Sequence, residues 1–329
     1  MELSGDVYLL STHLVPEKII DKRLSVSLDV YSDYRDRISQ AFLVISIEAP
    51  ITMDYRYCRW RVSLNKFNVS RLLRPFKEVV YGSRKYSLLL YDLTPIKHLL
   101  EEINEVVIEY KGDFVINLDL VGLLTTYNIV SRDSREAKIY LLAEPMIIES
   151  KGRSVLEIPR PSMHSQGFDM HIILKPLAPA TDVNINGEIK TLQTLEEHLI
   201  HLSGESSRVS IEVSRGGLYV PLVIFRDRVF REPSYDIKNI EITGLSGNKY
   251  LIKAFIENSG DVDVKELLAV ALYKGRSLVS KKINGGLREF ELELDEKMID
   301  PGDPRLTLRI IWNWLGNRYF KSRDLVLRT

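Results

Sequence analysis

Apolar side chains recur at every second residue along much of this chain, and this alternation restricts the fold more than any other feature. The period is clearest over residues 24–30, 43–47 and 58–64. A period of two places successive side chains on opposite faces of a strand, and it therefore predicts half-buried β-strands. Similar stretches, separated by turn residues, continue to residue 142 and resume at residue 168. The pattern predicts an all-β protein.

The stretch Ser87–Tyr110 places a strand, a helical turn and a second strand next to one another with few connecting residues. Thr94 followed by Pro95 is a pair that begins many helices, because threonine caps the first turn and proline suits its φ angle. A similar order recurs where Thr194 and Glu197 form a capping box before a helix predicted over LEEHLIHLS. We therefore predict two short crossover helices that carry the chain between sheets.

A chain of 329 residues is longer than one β-sandwich requires. We predict three domains: a jelly-roll-like β-sandwich over residues 1–150, a small β domain with one short helix over residues 151–232, and an immunoglobulin-like β-sandwich over residues 233–329. The last of these contains seven strand candidates separated by glycine-containing turns. The predicted fold class is thus all-β, built from multidomain β-sandwiches, jelly-roll-like and immunoglobulin-like, with the two crossover helices.

Composition narrows the classes of function and partner. Lysine and arginine total 45, as do aspartate and glutamate, so the chain has no overall field that would hold a nucleic acid. The single cysteine, Cys58, excludes an intramolecular disulfide and fits a reducing compartment. Glutamine is scarce while charged residues are plentiful, a bias typical of thermophile proteins.

The sequence also carries expectations about location. It contains no apolar segment long enough to span a membrane, and its start lacks a basic leader. We expect a cytoplasmic protein if Met1 is the native start, and a cell-surface or secreted protein if the chain is a mature form.

The N-terminal part resembles galactose-binding-like jelly-roll domains. The resemblance is carried by Tyr91-Asp-Leu-Thr94 followed by Ile103-Asn-Glu-Val-Val107. In that family the first motif caps a short helix and the asparagine shapes the turn into the next strand. The resemblance implies a jelly-roll fold and gives a hint of sugar binding.

The C-terminal part resembles CARDB and fibronectin-like adhesion modules, which are immunoglobulin-like. The resemblance is carried by Ile256-Glu-Asn-Ser-Gly260, by the paired strands in LLAVALYKGRSLVSKKI and by the late strand LTLRIIWNW. It implies a β-sandwich that serves in adhesion or in protein interaction.

One surface stands out as a candidate binding site. Tyr55, Tyr57, Arg59 and Arg61 alternate with Cys58 and its apolar neighbours, so they are predicted to share the outward face of a strand. Such an aromatic and basic stripe could stack on a sugar or anchor a protein partner. The alternative is an ordinary cross-strand ladder covered by a neighbouring domain.

Catalytic and metal-binding motifs are sparse. His198 and His201 lie three residues apart on the helix predicted after Thr194, a spacing that could serve a zinc ion with a third ligand from elsewhere. The alternative is an amphipathic helix with its leucines in the core. No nucleophile elbow, P-loop or dinucleotide-binding glycine pattern is present. We predict no catalytic residue, no bound cofactor and no metal.

These observations predict a non-catalytic structural or protein-interaction component of a larger assembly. It would bind a protein partner, or itself, through the faces and edges of its sandwiches. The first alternative is a carbohydrate-binding or adhesion module, and the second is a metal-dependent hydrolase that uses the two histidines. No nucleic-acid partner is expected.

Overall fold

The structure is a computed structural model. It describes residues 1–14, 17–19, 22–129, 137–159, 165–204, 206–229, 231–245, 249–300, 302–314 and 317–327. These residues contain 27 strands and four short 3-10 helices, which confirms an all-β protein of several sandwiches with few helices. They form two compact units, the first extending to Val229 and the second containing the described residues from Arg231 onward.

Four antiparallel sheets make up the first unit, and we number them I to IV. Sheet I contains, in spatial order, β4 (Lys22–Asp29), β10 (Ile103–Lys111), β6 (Arg59–Leu64) and β7 (Phe67–Ser70). Sheet II contains β2 (Val7–His13), β11 (Ile116–Tyr127), β5 (Ile38–Pro50), β9 (Arg84–Asp92) and β8 (Lys77–Tyr81), and β3 (Glu17–Ile19) also pairs with β11.

The other two sheets follow later in the chain. Sheet III contains β1 (Glu2–Leu3), β12 (Ile139–Leu142), β20 (Leu218–Asp227), β15 (Gly167–Pro176) and β18 (Glu196–Ser203), and β13 (Met146–Ile148) also pairs with β20. Sheet IV contains β14 (Arg153–Glu157), β19 (Arg208–Arg215), β16 (Thr181–Ile185) and β17 (Glu188–Leu192). Sheet III thus draws strands from both sides of residue 150, and the domain boundary predicted there stays a prediction.

The four sheets stack in numerical order. Trp60 of sheet I donates its indole N–H to the hydroxyl of Tyr91 in sheet II, at 3.0 Å. Sheets II and III share an apolar core that includes Val44, Leu124 and Ile224. Sheets III and IV enclose a second such core, whose members include Phe168, Phe225, Ile211 and Val183.

Because sheets II and III are covered on both faces, their central strands are buried at nearly every position. β5 and β11 in sheet II, and β15 and β20 in sheet III, show this burial. Their sequences read as nearly continuous apolar runs, whereas strands of the outer sheets, such as β19, alternate.

The second unit contains two sheets. Sheet V contains β21 (Tyr235–Leu245), β22 (Lys249–Asn258) and β25 (Glu289–Asp295). Sheet VI contains β24 (Arg276–Asn284), β23 (Glu266–Tyr273), β26 (Arg305–Trp314) and β27 (Asn317–Val326). The alternation of β22 and β26 matches the predicted strands, with one face buried in each.

Of the two predicted crossover helices, one is present and the other is wrong. A 3-10 helix spans Thr94–Leu99, with Pro95 in its first turn. The residues predicted as the second helix form β18, an edge strand of sheet III that pairs with β15 along its full length. Leu202 on β18 is buried, whereas Leu199 is exposed. Pairing with β15 in the sheet prevails over the local capping signal at Thr194.

Candidate functional site

The four residues predicted to form one binding surface do not share a face. In β6, Trp60 and Val62 are buried, and Arg59 and Arg61 therefore lie on the exposed outer face of sheet I. Tyr57 lies in a 3-10 turn before β6 and is 84% exposed. That Tyr57, Arg59 and Arg61 form a binding surface stays a prediction.

Tyr55, the fourth member, points toward sheet II instead. Its hydroxyl forms a 2.6 Å hydrogen bond with Oγ of Ser87 on β9, and Nζ of Lys85 lies 3.8 Å from its ring centroid. Burial raises the pKa of the Tyr55 phenol. The predicted alternation fails here because the chain forms the 3-10 turn Tyr55–Tyr57 before the strand begins.

Among the described residues, exposed large apolar side chains are most frequent along the stretch Phe67–Val80. The chain from β7 to β8 runs from an edge strand of sheet I to an edge strand of sheet II. It carries four large apolar residues that remain exposed: Leu72 (70%), Phe76 (52%), Val80 (49%) and Phe67 (46%). We call these four residues, together with Arg71, Arg74 and Lys77, the edge patch.

The edge patch is held in place by contacts with the sandwich. Leu73, between the exposed residues, is buried in the core. The backbone N–H of Phe76 donates to the carbonyl oxygen of Leu88 on β9, at 2.8 Å. The Ser70 hydroxyl accepts from the N–H of Leu72, at 3.2 Å. The exposed side chains are therefore presented by an ordered segment.

The edge patch is also basic. Arg71 and Arg74 are exposed and have no ion-pair partner among the described residues. Lys77 lies 3.8 Å from a carboxylate oxygen of Glu144, with both side chains at least half-exposed, a geometry that contributes little. The one acidic residue of this segment, Glu78, is exposed, and its carboxylate accepts a 2.9 Å hydrogen bond from Ser87.

Sequence reasoning missed the edge patch. Its stretch, Phe67–Val80, contains apolar residues next to arginines and a proline, without a sustained alternation. One sequence signal could have revealed it: Leu72 and Phe76 lie in a connection rich in arginine and lysine, where no core position was predicted.

A buried polar cluster lies between sheets II and III. Nζ of Lys175 lies 2.7 Å from Oδ1 of Asp119 and 2.7 Å from Oε2 of Glu48. The register of β11 against β5 shifts at Asp119, and that of β15 against β20 shifts just before Lys175. Such bulges redirect side chains, and here they bring the two charges together between the sheets.

The two carboxyl groups of this cluster differ in pKa. Burial raises the pKa of Asp119 from 3.8 to about 6, although the charge of Lys175 opposes the shift. Burial would also raise the pKa of Glu48, but the hydrogen bond and charge of Lys175 lower it overall. The cluster therefore joins sheets II and III and holds one carboxyl group whose pKa burial raises to about 6.

A second polar row crosses sheet III. Asp169 on β15 lies opposite His201 on β18 and opposite Arg226 on β20. Its carboxylate lies 2.7 Å from Nδ1 of His201 and 2.5 Å from Nη2 of Arg226. Nearby, Nε2 of His171 lies 2.6 Å from Glu197. These pairs attach the edge strand β18 to the centre of the sheet.

The histidine pair considered for zinc does not converge. His198 and His201 are three apart on a strand, so their side chains point to opposite faces. Nδ1 of His198 lies 3.4 Å from Nζ of Lys190, while His201 contacts Asp169. Among the residues that the structure describes, no group of three or more His, Cys, Asp or Glu side chains could hold a metal ion.

The second unit contains a cleft of about 390 Å³, a volume within the range of small-molecule sites. Phe255 and Leu287 supply apolar lining, and Asn258, Asp263 and Arg288 supply polar groups. Asn258 is already engaged, since its amide donates to Oδ1 of Asp263 at 2.9 Å.

No protein-family model matches the chain, and no curated protein matches it. Among solved structures, it is similar to a β-glucuronidase from Ruminococcus gnavus in complex with D-glucuronic acid, at 10% identity and a TM-score of 0.23, over 93% of this chain and 36% of that one. It is also similar to the apo structure of Bacteroides uniformis β-glucuronidase 3, at 11% identity and a TM-score of 0.23, over 60% of this chain and 28% of that one.

The chain therefore spans about a third of the length of these solved structures. At such TM-scores, the likeness carries no argument about what this chain does. No helix among the described residues is both long and apolar enough to cross a membrane.

Proposed function

We propose that this protein is a non-catalytic interaction component that binds a protein partner through the edge patch. The observation that carries the proposal is the exposure of four large apolar side chains along one ordered stretch: Phe67 and Val80 on the edge strands β7 and β8, and Leu72 and Phe76 on the connection between them. Contiguous exposed apolar surface marks interaction sites on soluble proteins. Burying a side chain such as Leu72 or Phe76 stabilises a complex by about 1.5–3 kcal/mol.

In this proposed interface, a few apolar side chains would contribute most of the binding free energy. Leu72 and Phe76 are the most exposed of the four apolar residues and lie within one short connection. The three cations beside them would form a charged rim. An apolar centre with a polar rim is the usual arrangement of a protein interface.

The proposal can be tested by site-specific photo-crosslinking in extract from the source cells. A photo-reactive phenylalanine analogue replaces Leu72 in one protein and Ile189 in a control. Ile189 is 76% exposed on β17, an edge strand of sheet IV, so it matches Leu72 in exposure while lying outside the patch. We expect one discrete crosslinked protein from position 72 that is absent from position 189. Equal or absent crosslinking at the two positions would contradict the proposal.

Carbohydrate binding is a second candidate, favoured by the cleft of the second unit. Phe255 offers an apolar wall for the C–H face of a sugar ring, while Asp263 and Arg288 offer an acceptor and a donor for hydroxyl groups. A glycan array with the whole protein and its Arg288→Ala variant tests this function. It predicts a bound glycan that the variant loses; an array without a bound glycan removes it.

A further inference from the structure

We infer that the partner segment is an extended, acidic strand that adds to the free edge of β8. The inference rests on the proposed function and specifies the chemistry of the partner. Two features of the described residues carry it: the edge of sheet II that β8 leaves without a second partner, and the sign of the exposed charges in the segment that leads into β8.

The first feature is the backbone of β8. Within the part of the chain that the structure describes, β8 is the last strand on its side of sheet II and pairs only with β9, from Lys77 opposite Leu88 to Tyr81 opposite Arg84. Alternate N–H and C=O groups of such an edge strand point away from its one partner. An added strand would satisfy those groups, which is how several recognition domains bind extended peptides.

β8 is also held in a fixed position. Its Glu78 carboxylate accepts from Ser87 at 2.9 Å, and Ser87 in turn contacts the Tyr55 hydroxyl at 2.6 Å. Nζ of Lys85 lies 3.9 Å from the same carboxylate and donates to the carbonyl oxygen of Met53. The edge is therefore ordered before a partner arrives, which lowers the entropy cost of binding.

The second feature is charge. Arg71, Arg74 and Lys77 flank the exposed apolar residues, whereas Glu78 is the one acidic residue of the segment and its carboxylate already accepts a hydrogen bond from Ser87. A second copy of this chain would bring the same three cations to the interface, and like charges repel. A segment that alternates acidic and apolar residues would instead place carboxylates beside the cations and side chains against Phe76 and Val80. Charge complementarity thus favours an acidic partner over self-association.

The test uses the whole protein and a labelled peptide of about eight residues, in which glutamate alternates with valine and isoleucine. There are two control peptides. In the first, lysine replaces glutamate. The second carries N-methyl groups on alternate backbone nitrogens, which removes hydrogen-bond donors without changing the charge of the side chains. Fluorescence anisotropy gives the affinities. Hydrogen exchange reports protection of the β8 amides.

We expect the acidic peptide to bind, to protect amides of β8, and to lose at least about tenfold in affinity after N-methylation or replacement of glutamate by lysine. The Leu72→Asp/Phe76→Asp variant should also lose affinity, whereas Ile189→Asp/Val155→Asp, two exposed changes on sheet IV, should not.

Three outcomes would overturn the inference. The acidic peptide could show no binding at about 1 mM, or the N-methylated peptide could bind equally well. The third is binding of the protein to phosphatidylserine vesicles that depends on Leu72 and Phe76, which would make the patch a membrane contact. If either of the first two outcomes occurs while crosslinking at position 72 still captures a partner, the inference fails but the proposed function stands. Failure of the inference can therefore be distinguished from failure of the proposed function.

Discussion

The carboxylate of Asp119 on sheet II and the ammonium of Lys175 on sheet III lie 2.7 Å apart. Each residue lies at or next to a shift in strand register, where side chains are redirected locally. Lys175 also contacts Glu48, so one cation is shared by two carboxyl groups. This contact helps to join sheets II and III into one compact unit.

Replacing Lys175 by methionine should destabilise the protein by about 3–5 kcal/mol, because Asp119 and Glu48 would remain close together without their cation. The free energy of unfolding, measured in urea, reports the change. Lys282→Met is the matched control: Lys282 pairs with Glu266 at 2.8 Å, but on the surface. That change should cost less than about 1 kcal/mol. Equal effects of the two variants would show that Lys175 is not a structural cation.

Asp119 should make stability depend on pH. Its folded-state pKa is raised by burial from 3.8 to about 6, so the folded protein binds this proton more tightly than the unfolded chain does. The contribution of Asp119 is therefore most favourable below about pH 4, and it is lost as the pH rises to about 6.

The difference in unfolding free energy between the wild type and Asp119→Asn should fall by about 1–3 kcal/mol from about pH 4 through pH 6 and become level above about pH 7. Subtracting the variant removes the titration of Glu48 and other groups to first order. A difference that is constant over this range would show that Asp119 titrates normally.

Strand β18 provides a test of secondary structure by mutation. Leu202 is 4% exposed and Leu199 is 57% exposed, as a strand requires, whereas the predicted helix would bury both. Leu202→Ala should cost about 2–4 kcal/mol, and Leu199→Ala less than about 1 kcal/mol. Thermal and urea unfolding of the two variants would show the contrast; similar losses would favour the helix.

The fold class could be predicted from local sequence because the apolar alternation survives in strands that bury one face, such as β19 and β22. It misled at β18, where a capping signal at Thr194 competes with a strand partner that is distant in sequence. The contact between Asp119 and Lys175 was not predictable from sequence, because it lies at register shifts in two strands and depends on the stacking of sheets II and III. The edge patch was missed for a related reason. Its exposure depends on which strands lie at the edges of the sheets, and local sequence does not specify strand order.

Gly285 in the second unit should not tolerate a side chain. A Cβ atom there would overlap the carbonyl oxygen of Val264, so the backbone would have to move. Gly285→Ala should therefore destabilise the protein by about 2 kcal/mol or more. Gly244→Ala is the control, because no atom lies within 4 Å of a Cβ at that position. It should change stability by less than about 0.5 kcal/mol. Equal effects of the two variants on stability would contradict the close approach of Gly285 to Val264.

The affinity for the partner captured at position 72 tests the central claim most directly. Calorimetry would compare the wild-type protein, the Leu72→Asp/Phe76→Asp variant and the Ile189→Asp/Val155→Asp control, each first shown to be folded. We predict that the edge-patch variant loses about 100-fold or more in affinity, while the control stays within about twofold of the wild type. Equal affinity of all three proteins for that partner would contradict the claim that the edge patch is the binding site.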